Sequence, residues 1–152
     1  MRSPRYHQLF VLASIMTLAA MSGCRKNYWP GPDVIDADAP SEFTETNTGL
    51  RYKILRRSSG KRPQLQSKVR VHYRGWLEDD TVFDSSYEMG MSSAFIVEQT
   101  ILGWNEGLQY IGEGGMIELE VPPELAYGEK GFLPSIPPNA TLRFRIELIH
   151  VE

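Results

Sequence analysis

The sequence predicts an α+β domain in which a curled antiparallel β-sheet of about five strands wraps over one short α-helix. Three observations carry this. Apolar and polar residues alternate with a period of two in four separate segments between positions 50 and 148; one stretch alone has helical spacing; and the proline pairs Pro122-Pro123 and Pro137-Pro138 interrupt the C-terminal half. Alternation puts one set of side chains on a buried face and the other in water, and a sheet with one apolar face needs a second layer to cover it.

The elements follow in chain order. Arg2 and Arg5 precede an uncharged run over residues 9–21, which ends in the small residues Ser22 and Gly23 before Cys24. The run is about 13 residues, short of the ~20 that span a bilayer as a helix, so residues 1–23 are expected to be a cleaved export signal. Met21-Ser22-Gly23-Cys24 resembles a bacterial lipoprotein signal, which implies cleavage before Cys24, acylation of Cys24 and a membrane tether held by lipid alone. Arg25, where some bacteria place an inner-membrane-retaining Asp, favours the periplasmic side of the outer membrane. Removing the leader takes away two arginines and no acid, leaving 14 basic against 19 acidic residues. Residues 24–47 hold Pro30, Gly31, Pro32 and Pro40 with no apolar period, and are expected to form a flexible tether in which Tyr28, Trp29 and Phe43 are free to meet a bilayer or the domain.

The folded domain is expected over residues 48–152. Leu50, Tyr52 and Ile54 alternate with Arg51 and Lys53 in a first half-buried strand, and Val69, Val71 and Tyr73 alternate with Arg70, His72 and Arg74 in a second. Trp104, Leu108 and Ile111, at i, i+4 and i+7, mark the amphipathic helix. Ile117, Leu119 and Val121 form a strand stopped by Pro122-Pro123, because proline cannot donate to a ladder. Leu142, Phe144, Ile146 and Leu148 form the long closing strand after a loop that occupies most of residues 124–139.

The chemistry the sequence excludes is as informative. A formal charge of -3 argues against nucleic acid, and one cysteine excludes an internal disulfide. No cluster has metal-ligand spacing, no Gly-x-Ser-x-Gly elbow or phosphate-cradling loop is present, and no cofactor is expected. What remains is a set of aromatic residues beside turns: Tyr73, Phe83, Trp104, Tyr127 and Phe144. Singly, each reads best as core.

As a set, with their neighbours, they match a pattern. Val71-His72-Tyr73-Arg74-Gly75-Trp76-Leu77-Glu78-Asp79, Phe83-Asp84-Ser85-Ser86, Gly103-Trp104-Asn105-Glu106-Gly107-Leu108, Val121-Pro122-Pro123-Glu124-Leu125-Ala126-Tyr127-Gly128 and Ile136-Pro137-Pro138-Asn139-Ala140-Thr141-Leu142 together resemble an FKBP-type peptidyl-prolyl cis-trans isomerase from about residue 48 to 152. The resemblance implies a pocket for a proline ring with Trp104 as floor, Tyr73, Phe83 and Phe144 as walls and Ile101 at the rim. It implies that the Ile101 N–H and the Tyr127 phenol hold substrate carbonyls, with Asp84 close to the Tyr73 hydroxyl. Phe95, Thr100, Phe132 and Ile136 complete the rim. The implied partners are proline-containing polypeptides, with macrolide inhibitors as pocket ligands, and the expected state is a monomer.

This chain departs from the pattern at three places. Asp80 stands where glycine is common, which calls for a left-handed turn that aspartate tolerates. Ser93 is small where some relatives carry an aromatic, and Phe132 stands where eukaryotic relatives often have histidine; both bear on selectivity. Two rival readings are a binding module without turnover, which retention of all five pocket aromatics argues against, and a general chaperone, for which no additional domain is expected in 152 residues.

Overall fold

The computed structural model describes residues 34–152, so the leader, Cys24 and the first part of the tether lie outside the described residues. The strands are β1 (Thr44–Glu45), β2 (Arg51–Arg56), β3 (Lys68–Trp76), β4 (Val82–Ser85), β5 (Ser93–Ile96), β6 (Met116–Val121) and β7 (Leu142–Val151), with one α-helix, α1 (Leu102–Gly107). They form one sheet in the order β1-β2-β6-β7-β3-β4, with β5 also on β3, and every pairing is antiparallel. The expected α+β architecture is present, with seven strands where about five were expected. The strands that no alternating segment marked are β1, two residues long, and β4 and β5, four each, which are too short to present an alternating pattern.

The sheet curls over α1 and the 3-10 turn Leu108–Tyr110 that continues it. Trp104, Leu108 and Ile111 are buried as the spacing requires, against Leu119, Val121, Phe144 and Ile146. Helix and sheet approach closely because Gly103 has no side chain: a Cβ there would lie 2.4 Å from Val121 Cγ1.

The other sheet face carries charge in rows. Glu118 is bracketed by Lys53 at 3.3 Å and Arg145 at 3.1 Å, and Glu120 by Arg51 and by Arg143 at 3.5 Å. In the third row the pair is buried, with Arg56 Nη2 2.8 Å from Glu147 Oε1 and the Tyr87 hydroxyl donating to Glu147 Oε2. His72 lies on this face as its strand position implies, stacked on Tyr87 at 4.9 Å with Nδ1 3.0 Å from Ser86 Oγ.

Of the two courses left open for the tether, a bilayer or the domain, residues 34–47 lie against the domain. The Asp36 N–H bonds the Leu55 carbonyl at 2.8 Å, and Arg57 pairs with Asp36 and Asp38. The Phe43 ring sits beneath Arg51 and Lys53, at 5.1 and 4.6 Å. An exposed β2 edge offers unpaired backbone groups, and β1 covers part of it. No described helix is long and apolar enough to cross a membrane.

Candidate functional site

The period of two in β3 and β7 turns Tyr73 and Phe144 toward the helix side of the sheet, where α1 presents Trp104. Between them opens a cleft of about 520 Å³ whose lining includes Tyr73, Phe83, Asp84, Phe95, Thr100, Ile101, Trp104, Tyr127 and Phe144, all expected from the sequence. Gln99, Leu102 and Ala126 also line it and were not anticipated; each adjoins an anticipated residue, which was the available signal.

The lining is a box of edge-to-face rings. The Trp104 indole stands nearly perpendicular to Tyr73 (5.3 Å, 81°), Phe95 (5.6 Å, 84°) and Phe144 (5.4 Å, 85°), and Phe83 meets Phe144 at 5.6 Å and 87°. This geometry sets the positive ring edge against the negative face and holds each ring in one orientation. Trp104 is only 4% exposed and its Nε1–H has no acceptor among the described residues, a buried donor that the fold leaves unmatched at the floor.

Polar groups are few and placed at the edge. The Tyr73 hydroxyl donates to Asp84 Oδ2 at 2.5 Å. Burial, then the bond to Asp84 and its charge, push the Tyr73 phenol far above its ordinary range, and burial followed by the Asp84 charge raises Tyr127. Both phenols therefore remain proton donors at neutral pH. The Thr100 hydroxyl lies 2.7 Å from the Val97 carbonyl and 2.9 Å from Asn105 Oδ1, so it serves the turn that opens α1. The Ile101 carbonyl accepts from the Trp104 and Asn105 N–H groups at 2.9 and 3.1 Å, while its own N–H has no acceptor among the described residues.

Two rim residues do not line the cleft. Phe132, 62% exposed, lies with its ring 5.5 Å from Tyr127, beside the mouth. Ile136 is buried, and its N–H and carbonyl pair with Phe132 across the loop at 2.9 and 2.8 Å, so it props the loop. Asp80 adopts φ 66°, the left-handed turn expected of it. No group of three or more His, Cys, Asp or Glu side chains able to hold a metal occurs among the described residues.

Gly75 is a positioning residue that the sequence did not single out. A Cβ there would lie 2.6 Å from Phe83 Cζ and 2.9 Å from Phe144 Cε1, so the two wall rings meet over a backbone with no side chain. Gly75→Ala is expected to splay them and to cost about 1–3 kcal/mol by overpacking, read by urea unfolding. An unchanged midpoint would show that the rings move aside freely.

Comparison with known proteins follows the same residues. The profile of one family, described as FKBP-type peptidyl-prolyl cis-trans isomerase, matches residues 60–149. The chain is 46% identical over 107 residues to an FKBP-type isomerase, FkpA, of Buchnera aphidicola, covering 70% of this chain and 42% of that protein. It is 44% identical over 104 residues to the isomerase Mip of Coxiella burnetii, covering 68% and 45%. The crystal structure of FkpA from Escherichia coli superposes with a TM-score of 0.72 at 42% identity, covering 74% of this chain and 53% of that one, and AtFKBP13 with 0.67 at 35% identity, covering 73% and 99%. The chain thus spans less than half the length of these two curated relatives.

Proposed function

Because the chain belongs to the family of FKBP-type peptidyl-prolyl cis-trans isomerases, we propose that its aromatic cleft rotates Xaa-Pro peptide bonds. The observation that carries this reading is the box of perpendicular rings around Trp104, an apolar, shaped cavity with no nucleophile or metal set at its centre.

Such a cavity suits this reaction. The ~18–20 kcal/mol barrier to amide rotation comes from resonance that gives the C–N bond double-bond character and a large dipole. Half-way round, resonance is lost and the amide is less polar than either planar form. Moving it from water into an apolar box therefore costs less than moving the ground state, which is preferential binding of the transition state. No proton is transferred and no covalent intermediate forms. The proline ring enters over Trp104, and the Tyr127 hydroxyl and Ile101 N–H grip carbonyls on either side of the rotating bond. Asp84 is a positioning residue that holds the Tyr73 ring through its hydroxyl.

The test is exchange of a short Xaa-Pro peptide followed by NMR with the full chain present. Acceleration over buffer is expected, since the uncatalysed step takes tens of seconds; a rate equal to buffer would make the protein a binding module.

The reading extends to place and clients. The Arg2/Arg5 leader and Met21-Ser22-Gly23-Cys24 support export, acylation of Cys24 and work on exported proteins at a bacterial envelope membrane, the outer one by Arg25. Mass spectrometry of the mature N-terminus is expected to find lipid on Cys24, and a free thiol and amine there would exclude the anchor.

A further inference from the structure

A second cleft lies on the opposite side of the same sheet. β3 and β7 pair Arg74 with Arg145, the residues that follow Tyr73 and Phe144, so the period of two turns both arginines away from the aromatic box. With Trp76 and Tyr87 they line a cleft of about 660 Å³, at whose lining Asp80 and Glu88 also stand. Strand β4 serves both clefts, lending Phe83 and Asp84 to the first and Val82 and Ser85 to the second.

The charges here are incompletely matched. Elsewhere on this face each arginine of β2 and β7 has a carboxylate beside it. Arg74 has no acceptor among the described residues, while Arg145 gives Nη2 to Glu118 at 3.1 Å and, like Arg143, has a buried Nε with no acceptor among the described residues. Like charges directly across a strand pair are destabilising, and an anion between them reverses the sign. The guanidinium fork matches a carboxylate. Asp80 and Glu88 offset the local positive charge, which disfavours a phosphate dianion or a polyanion, while Trp76 and Tyr87 offer an apolar surface next to the cations.

We propose that this cleft binds a partner polypeptide through one acidic residue, with the carboxylate of a Glu or Asp between Arg74 and Arg145 and a neighbouring apolar side chain on Trp76 and Tyr87. The site is separate from the isomerase cleft and stands whether or not that cleft turns over proline. It gives the domain a second handle on extended chains, selected by charge and independent of proline.

The experiment uses the full chain labelled with 5-fluorotryptophan, whose Trp76 resonance reports this cleft and whose Trp104 resonance reports the other. The probe is acetyl-Ala-Glu-Leu-Ala-amide, which has no proline. A saturable shift at Trp76 with Trp104 unmoved is expected, absent with the Gln counterpart of the peptide. Affinity is expected to fall at least about tenfold in Arg74→Gln, whose side chain is exposed and does not support the fold, and to be restored in part in Arg74→Lys. Inorganic phosphate alone is expected to leave Trp76 unmoved. The proposal is overturned by equal binding of the Gln peptide, by unchanged affinity in Arg74→Gln, by a shift at Trp104 instead of Trp76, by tighter binding of phosphate than of peptide, or by no saturable shift at millimolar peptide.

Discussion

Trp104→Ala is expected to lower kcat/KM for an Xaa-Pro peptide by roughly tenfold to a hundredfold, about 1.4–2.8 kcal/mol of lost transition-state stabilisation. The indole is the common partner of Tyr73, Phe95 and Phe144, so its removal takes away the floor and the contacts that hold three other rings upright. Water then enters the cleft and solvates the planar, more polar amide, which erases the advantage of the twisted one. Truncating a buried tryptophan also costs stability, about 3–5 kcal/mol, so activity has to be read per folded molecule. Trp104→Phe separates the two effects by keeping an aromatic floor, and is expected to hold the fold while recovering part of the rate. Equal rates for wild type and both variants, with all three folded, would remove the cleft from the mechanism.

The largest effect on stability is expected at Glu147, which is 0% exposed and bonded to both Arg56 Nη2 and the Tyr87 hydroxyl. Glu147→Ala takes away the carboxylate that Arg56 Nη2 meets at 2.8 Å, in a residue only 7% exposed. Breaking a buried pair from one side costs about 3–5 kcal/mol, a large share of a typical domain's stability. Arg56 is held in addition by the Gly114 and Val34 carbonyls, both at 2.8 Å, so it has no easy path to water. Replacing Arg56 and Glu147 together by Met and Leu is expected to cost far less than either single change, because no charge is then stranded. Urea unfolding of the singles and the double measures this, and additive losses would contradict it.

The same network has a pH signature. Burial, then the bond to Glu147, raises the Tyr87 phenol well above the ordinary tyrosine value of 10.0. A raised acid contributes stability that is fully present below pH 10 and is lost as pH climbs past it, since the unfolded chain ionises first. The alkaline loss is expected to shrink in Tyr87→Phe.

How much of this was legible beforehand depended on whether a feature is local. The strands containing Val71 and Ile146 announced themselves because a half-buried strand must alternate, and α1 because Trp104, Leu108 and Ile111 have helical spacing, although the α-helix ends at Gly107, Leu108 opens the 3-10 turn and Ile111 is extended. β1, β4 and β5 did not, since two to four residues cannot display a period and their strand state comes from a neighbour's backbone. Residues 34–47 read as tether for the same reason: Phe43 is ordered by Arg51 and Lys53, which belong to another strand. The cleft was named almost residue by residue, but Ile136 was placed on its rim when it props the Phe132 loop from within.

By itself, the sequence determined the α+β class, the family and the aromatic set, because these rest on period and on motifs written along the chain. The tertiary structure alone decided that Trp104 meets three rings at right angles, that Gly75 leaves room for Phe83 and Phe144, and that Arg74 and Arg145 stand side by side behind them. Those are distances between residues on different elements, set by strand register and by the closeness of helix to sheet, and no local pattern encodes them.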